Sequence, residues 1–328
     1  MDFRKVQETG GTFYVSLPRG WAQKNGITKG SLVSIVETKN GRVMVDAKYE
    51  LDKSLEVALI SPSSYLKREI MGKYLLGFDV IRVEGGTRLP PETSEEVRDT
   101  IRGLTGLEIV EEDANRIVLQ FLLEPQLFTP DRILRREYLF ASGMHKDVLT
   151  AFLERNTDLS NAVLKRDDEV DRLYFLIVRL LRTLLSNPRL SEKMDLSMID
   201  CLDYRMIASF IEAIGDDACR IARDVIEYSG VPVGDDVLGY VKQISNRVYS
   251  MHEKAMQAVF SRTYELIDAV LKESVEIKSC LGEVEKLLAV GQPRTTTFVS
   301  SVNFSLSRIR DASIDIVDTI LPREPWLP

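Results

Sequence analysis

Two stretches far apart in the chain open on the same four residues. AVLKRDDEVDRLY occupies 162–174 and AVLKESVEIKSCL occupies 269–281, an offset of 107. A second pair, IEAIGDDACRI (211–221) and LSRIRDASIDI (306–316), aligns at an offset of 95, with Ile214 over Ile309, Asp216 over Asp311 and Ile221 over Ile316. Long-period repetition constrains a fold strongly, because each copy must be one supersecondary unit with a face for its neighbour to cover. From about residue 130 apolar residues recur at helical spacing almost throughout. Pro188, Pro232 and Pro293 fall in turn-like stretches, and breaks near 157 and 264 complete six predicted helices: 131–156, 158–186, 194–229, 235–262, 264–290 and 295–321. Short connections make successive helices antiparallel neighbours, so this part reads as two three-helix bundles, 131–230 and 235–321.

Within the first copy, FIEAIGDDACRIA (210–222) sets Glu212, Asp216 and Asp217 among apolar residues. A buried carboxylate is costly unless something neutralises it. Glu212 and Asp216 are four apart and share a helix face, as do Asp167 and Asp171 on the preceding helix. The first pair lies about 21 residues before the connecting loop near residue 190 and the second about 24 after it, so an antiparallel hairpin brings both to one level. Four acids at one level repel unless a cation joins them, and an all-oxygen site suits magnesium, manganese, calcium or iron. KRDDEVDR alone also reads as a solvated face neutralised by its own Lys165, Arg166 and Arg172. The acids among apolar neighbours favour the metal reading. In the second copy Ser274, Lys278 and Ser307 stand where Asp167, Asp171 and Glu212 stand in the first, leaving Asp311 as the one matching acid. One metal site is therefore expected, not two.

Residues 1–48 differ in kind. FYVSL (13–17) is β-prone, Pro18 stands at a natural helix start, and GWAQKN ends at Gly26. SLVSIVE and RVMVD alternate apolar and polar residues around Asn40-Gly41, a strong hairpin signal. Such a unit is too short to bury much core alone, so pairing with a second copy, a homodimer, is expected. It carries eight basic and four acidic side chains, a charge of +4 on a chain whose net charge is −7. A basic end on an acidic body suggests an arm for a polyanion, with charge scatter as the plainer alternative.

Residues 52–124 read as a small α/β unit: strand LEVALI, helix SYLKREIMGKYLLGF, strand DVIRVEG, helix PETSEEVRDTIRGL, and a hairpin LEIVEED/RIVLQFLLE across Ala114-Asn115. It has no Gly-rich phosphate loop, so scaffolding or dimer contact is its expected role.

The composition is that of a globular protein, 44% apolar and 28% charged. No apolar run is long enough to span a bilayer and no signal peptide opens the chain, so no membrane insertion and a cytoplasmic location are expected. Cys201, Cys219 and Cys280 have no paired spacing and read as buried small hydrophobes. His145 and His252 are the only histidines, without an obvious partner, and are expected as packing or surface residues. That scarcity argues against base-driven nucleophilic catalysis and ordinary zinc sites.

Two families are recognisable at this point. RKVQETGGTFYVSLPRGWAQKNGITKGSLVSIVE resembles the SpoVT-AbrB DNA-binding domain, which implies a swapped-hairpin β-barrel of two interleaved chains. LKRDDEVDRLY and FIEAIGDDACRIA resemble the paired E(D)xxxD signatures of PhoU, the phosphate-uptake regulator built from two three-helix bundles, and that likeness covers 131–321. The resemblance implies Asp167, Asp171, Glu212 and Asp216 as ligands for a metal ion, whether iron, manganese, magnesium or zinc. The expected architecture is thus multidomain: an AbrB-like barrel (1–48), an α/β middle unit (52–124) and a PhoU-like pair of bundles. The combination implies a dimeric regulator of phosphate uptake that meets DNA through Arg4, Lys5, Arg19, Lys24 and Lys29. The short helix departs from the AbrB pattern, with Ala22 and Gln23 where arginines often stand. That departure keeps open an adaptor that docks on a phosphate transporter or its signalling kinase without binding DNA. No nucleophile or base stands beside the carboxylates, so no enzyme is expected.

Overall fold

The computed structural model describes residues 3–37, 41–47, 55–86, 88–124, 128–289 and 291–320. The chain divides into two compact units, Met1–Leu55 and Glu56–Pro328.

In the first unit β1 (Gln7–Thr9) and β2 (Thr12–Tyr14) form a hairpin with Glu8 opposite Phe13. Gly10 and Gly11 turn it at φ of 60° and 81°, a region in which an L side chain is strained. Helix α1 (Arg19–Lys24) follows, with Pro18 one residue ahead of its first turn rather than inside it. A second hairpin pairs β3 (Ser34–Glu37) with β4 (Val43–Asp46). Asn40 of its expected turn lies outside the described residues, as do Lys39 and Lys48. The two hairpins remain separate two-stranded sheets within one chain. No residue of this unit whose exposure is described is buried, and Phe13, Ile35 and Val43 are 70%, 66% and 64% exposed. A lone two-stranded hairpin is marginal in water, so this unit lacks a core of its own.

The second unit begins with a four-stranded sheet. Its elements are β5 (Val57–Ile60), α2 (Leu66–Leu75), β6 (Val80–Glu84), α3 (Pro91–Arg102), β7 (Leu107–Glu112) and β8 (Arg116–Phe121). Strand order is β5-β6-β8-β7, with β5 parallel to β6 and the other pairs antiparallel. Ile70 and Tyr74 of α2, Val97 of α3 and Ile81, Val83, Ile117 and Leu119 of the strands close a core on the helix-covered face. Helix α2 is shorter than expected because Gly77, at φ 93°, turns the chain after it.

The remainder is helical: α4 (Pro130–Glu154), α5 (Thr157–Ser186), α6 (Pro188–Lys193), α7 (Met198–Glu227), α8 (Asp235–Ser261), α9 (Tyr264–Leu288) and α10 (Pro293–Thr319). Helices α4, α5 and α7 pack as one bundle, α8, α9 and α10 as the other, and α10 lies against α7. A continuous apolar core runs through both. The loop expected around Pro188 instead holds α6, with Pro188 in its first turn and the Asn187 side chain accepting from the Leu190 amide. The break falls later, at Asp195 (φ 57°), after which Ser197 and Asp200 form a capping box that starts α7.

One buried cation ties sheet and bundle together. Arg179 of α5, 3% exposed, donates to the carbonyls of Tyr74 (2.6 Å), Phe78 (2.9 Å) and Gly77 (3.2 Å) at the end of α2. Its guanidinium also lies 3.8 Å from the Phe121 ring centroid. The last carbonyls of a helix lack intrahelical partners and carry partial negative charge, so a buried guanidinium there is satisfied by backbone alone. A Cβ at Gly77 would come within 3.0 Å of Thr183 Oγ1, so glycine also permits the close approach to α5.

Candidate functional site

The first bundle brings the four expected acids together. Asp167 and Asp171 of α5 and Glu212 and Asp216 of α7 are half-buried. Burial, and then mutual repulsion within the cluster, raises Asp171 to about 6 and Glu212 to about 7. Asp167 is raised by burial, against an opposing hydrogen bond from the Cys219 thiol. Two helices of one bundle therefore converge negative charge on one level, as their spacing predicted.

The structure adds a fifth acid. Glu137 of α4 is fully buried, and neither carboxylate oxygen has a hydrogen-bond partner among the described residues. Burial first, and then repulsion from Glu212 and Asp171, raise its pKa well above the ordinary carboxylate range, with Arg205 opposing. A signal for it lay in the sequence. Glu137 continues the apolar stripe of Ile133, Leu134, Ala141 and Met144, four residues after Ile133 and four before Ala141. A buried carboxylate with both oxygens unmet, facing further carboxylates, has the chemistry of a hard-cation donor. Among the described residues, as their side chains stand, no three His, Cys, Asp or Glu groups are assembled into a metal-ligand set.

Asp217, beside Asp216, does something else. It is 1% exposed and accepts from Arg308 Nε of α10 at 2.9 and 3.0 Å, with Arg220 Nη1 at 3.2 Å. This acid of FIEAIGDDACRIA joins the two bundles. In the second copy Ser274 donates to the Leu271 carbonyl and Asp311 pairs with Arg310. Ile244 stands at the position that matches Glu137 at the 107-residue offset.

The two histidines, expected without a partner, are partners of each other. Both are buried, His145 on α4 and His252 on α8. His145 Nδ1 lies 3.0 Å from His252 Nε2, His252 Nδ1 lies 2.8 Å from Tyr138 Oη, and His145 Nε2 lies 3.0 Å from Ser245 Oγ. Sequence distance hid the pair. Cys201 and Cys219 are buried as expected, whereas Cys280 is half-buried beside Arg247.

In the first unit Arg4, Lys5, Arg19, Lys24 and Lys29 are all exposed. No helix among the described residues is long and apolar enough to cross a membrane.

Residues 134–225 match the PhoU domain, and residues 6–51 match the family described as antidote-toxin recognition MazE, bacterial antitoxin. A phosphate-specific transport system accessory protein PhoU homolog from Clostridium acetobutylicum is 34% identical over 85 residues, 26% of this chain. The matched stretch spans 36% of that relative's length. The crystal structure of PhoU from Pseudomonas aeruginosa superposes at a TM-score of 0.54 with 18% identity, covering 60% of this chain and 95% of that one. The phosphate transport system regulatory protein PhoU from Streptococcus pneumoniae gives 0.50 and 13%, covering 58% and 91%. The helical part thus has the fold of a PhoU pair of bundles. The chain carries a PhoU domain over residues 134–225 and an N-terminal region similar to the MazE/AbrB-type domain.

Proposed function

We propose that this protein is a cytoplasmic, dimeric, DNA-binding regulator of phosphate uptake whose first helical bundle holds a metal ion. The observation that carries the reading is a first unit with no buried residue among those whose exposure is described and with exposed Arg4, Lys5, Arg19, Lys24 and Lys29, ahead in sequence of PhoU-type bundles. Interleaving with a second copy would cover the apolar strand faces, and the doubled basic surface would then meet DNA phosphates. Such binding is largely electrostatic, so it falls steeply with salt. In a gel shift over a salt series against promoter regions of phosphate genes, Arg4→Ala/Lys5→Ala should lower the slope of log affinity on log salt by about one unit for each phosphate no longer neutralised.

The metal reading rests on the unmet oxygens of Glu137 and on the repulsion among its neighbours. Asp167, Asp171, Glu212, Asp216 and Glu137 would hold the ion, and iron, manganese, magnesium or zinc are the candidates. Elemental analysis of protein purified without chelator should find metal that Asp171→Ala/Asp216→Ala loses and Asp311→Ala retains.

Ala22 and Gln23 on α1 favour a second reading, in which the AbrB-like domain only dimerises the chain. The bundles would then dock on a phosphate transporter or its signalling kinase. Absence of a gel shift at any salt selects this adaptor.

A further inference from the structure

A cavity of about 310 Å³ lies between the α/β part and the first bundle, bordered by Thr105 on one side and by α4 and α5 on the other. That volume falls at the lower end of small-molecule sites. Three arginines are among its lining residues, Arg132 and Arg136 of α4 and Arg172 of α5, and the Arg136 guanidinium also lies 6.0 Å from the Phe140 ring centroid. Arg132 and Arg136 are exposed and four residues apart, so they share one helix face, where like charges repel. Neither forms an ion pair among the described residues. Among the described residues the single carboxylate in the lining, Glu169, accepts from Arg172 Nη1 at 3.1 Å, and Arg172 Nε is buried without a hydrogen-bond partner. The lining therefore carries two positive charges in excess. Its remaining wall is apolar, with Phe128, Leu173 and Leu176 facing the space.

We propose that this cavity binds a phosphomonoester of mononucleotide size, its phosphate held by Arg132, Arg136 and Arg172 and its body set against Phe128 and Leu173. A phosphomonoester carries close to two negative charges at neutral pH, which matches the excess in the lining. The planar guanidinium fork fits phosphate oxygens in pairs, and an apolar wall with a few convergent charges is the general form of a small-molecule site. Inorganic phosphate would satisfy the arginines and leave the apolar wall unused. All its lining residues belong to the second unit and none is a member of the carboxylate cluster, so the proposal does not depend on whether the chain binds DNA or metal.

The test uses the full chain, with calorimetry and thermal melting against adenosine monophosphate, uridine monophosphate, ribose 5-phosphate, adenosine and inorganic phosphate. At least one of the three esters should bind and raise Tm, adenosine should not, and inorganic phosphate should bind about tenfold or more weakly than that ester. Arg132→Gln/Arg136→Gln should weaken the best ester about tenfold or more while leaving the ligand-free Tm unchanged, since both side chains are exposed. Arg102→Gln, at an exposed side chain of α3 outside the lining, should leave binding intact. The proposal is overturned if no ester binds at millimolar concentration, if adenosine binds as well as its monophosphate, if inorganic phosphate equals the esters, or if the double variant binds normally.

Discussion

His145 and His252 are hydrogen-bonded to each other across 107 residues, the same offset that separates the two AVLK copies. Their outer partners obey the same relation, since Tyr138, bonded to His252, and Ser245, bonded to His145, are also 107 apart. The chain Tyr138–His252–His145–Ser245, buried except at its half-buried tyrosine end, thus joins equivalent positions of the first helix of each bundle. Each of the four groups brings one proton, so the chain is satisfied with every donor pointing one way or every donor pointing the other.

That arrangement predicts acid sensitivity. Burial lowers His145 to about 4, and burial together with His145 lowers His252 well below its ordinary value. Tyr138, Tyr249 and Ser245 face the pair, and Glu253 lies near Tyr138. Between the ordinary histidine pKa and the folded one the unfolded chain binds more protons, so stability present above pH 6.5 is lost as pH falls toward 4. Asp171 and Glu212, raised to about 6 and 7, bind protons in the folded chain over the same window and oppose that loss. The histidine share is therefore the difference between parent and His145→Gln/His252→Gln in denaturant titrations, about 3 kcal/mol. His145→Gln/His252→Gln should flatten that part of the profile.

Removing one imidazole alone should cost more than the hydrogen bond it made. His252→Leu leaves His145 Nδ1 and Tyr138 Oη buried without the ring that bridged them, a cost of about 2–4 kcal/mol in chemical unfolding.

Glu137→Gln tests the carboxylate cluster from its buried side. With chelator present, Glu137 is held protonated by burial and by the acids facing it, so the variant should melt within a few degrees of the parent. Added metal should raise the parent's Tm by mass action and the variant's much less. Equal responses would place the ion, if one binds, away from α4.

Arg179→Ala should release the α/β part from α5. Three backbone carbonyls lose a charged donor and Phe121 loses its cation, so a destabilisation of about 3 kcal/mol is expected. Hydrogen exchange should quicken first in α2 and β6.

Ile35→Asp/Val43→Asp should weaken self-association in sedimentation while leaving the helical content unchanged. Both side chains are exposed in a single chain and belong to a unit with no buried residue among those whose exposure is described. An unaltered dimer would move the interface to residues 56–320.

Local and periodic features were legible in the chain itself. The repeat and the 3.6-residue spacing located six long helices to within a few residues, since an amphipathic helix writes its buried face into its own sequence. The pairs Asp167/Asp171 and Glu212/Asp216 were legible for the same reason, because i,i+4 spacing and loop position together set their level. Tertiary structure decided the rest, where two distant segments had to meet. Glu137 joins the acids because α4 turns that face toward α5 and α7, and its charge was hidden in an otherwise apolar stripe. Arg179 reads like any basic residue in a helix until the end of α2, about 100 residues away, supplies the carbonyls that hold it. Asp217 differs from Asp216 by one helical step, which turns it from the carboxylate cluster toward Arg308 of α10. The histidine pair depends on two helices crossing at equivalent points, and no local pattern carries information about a crossing point.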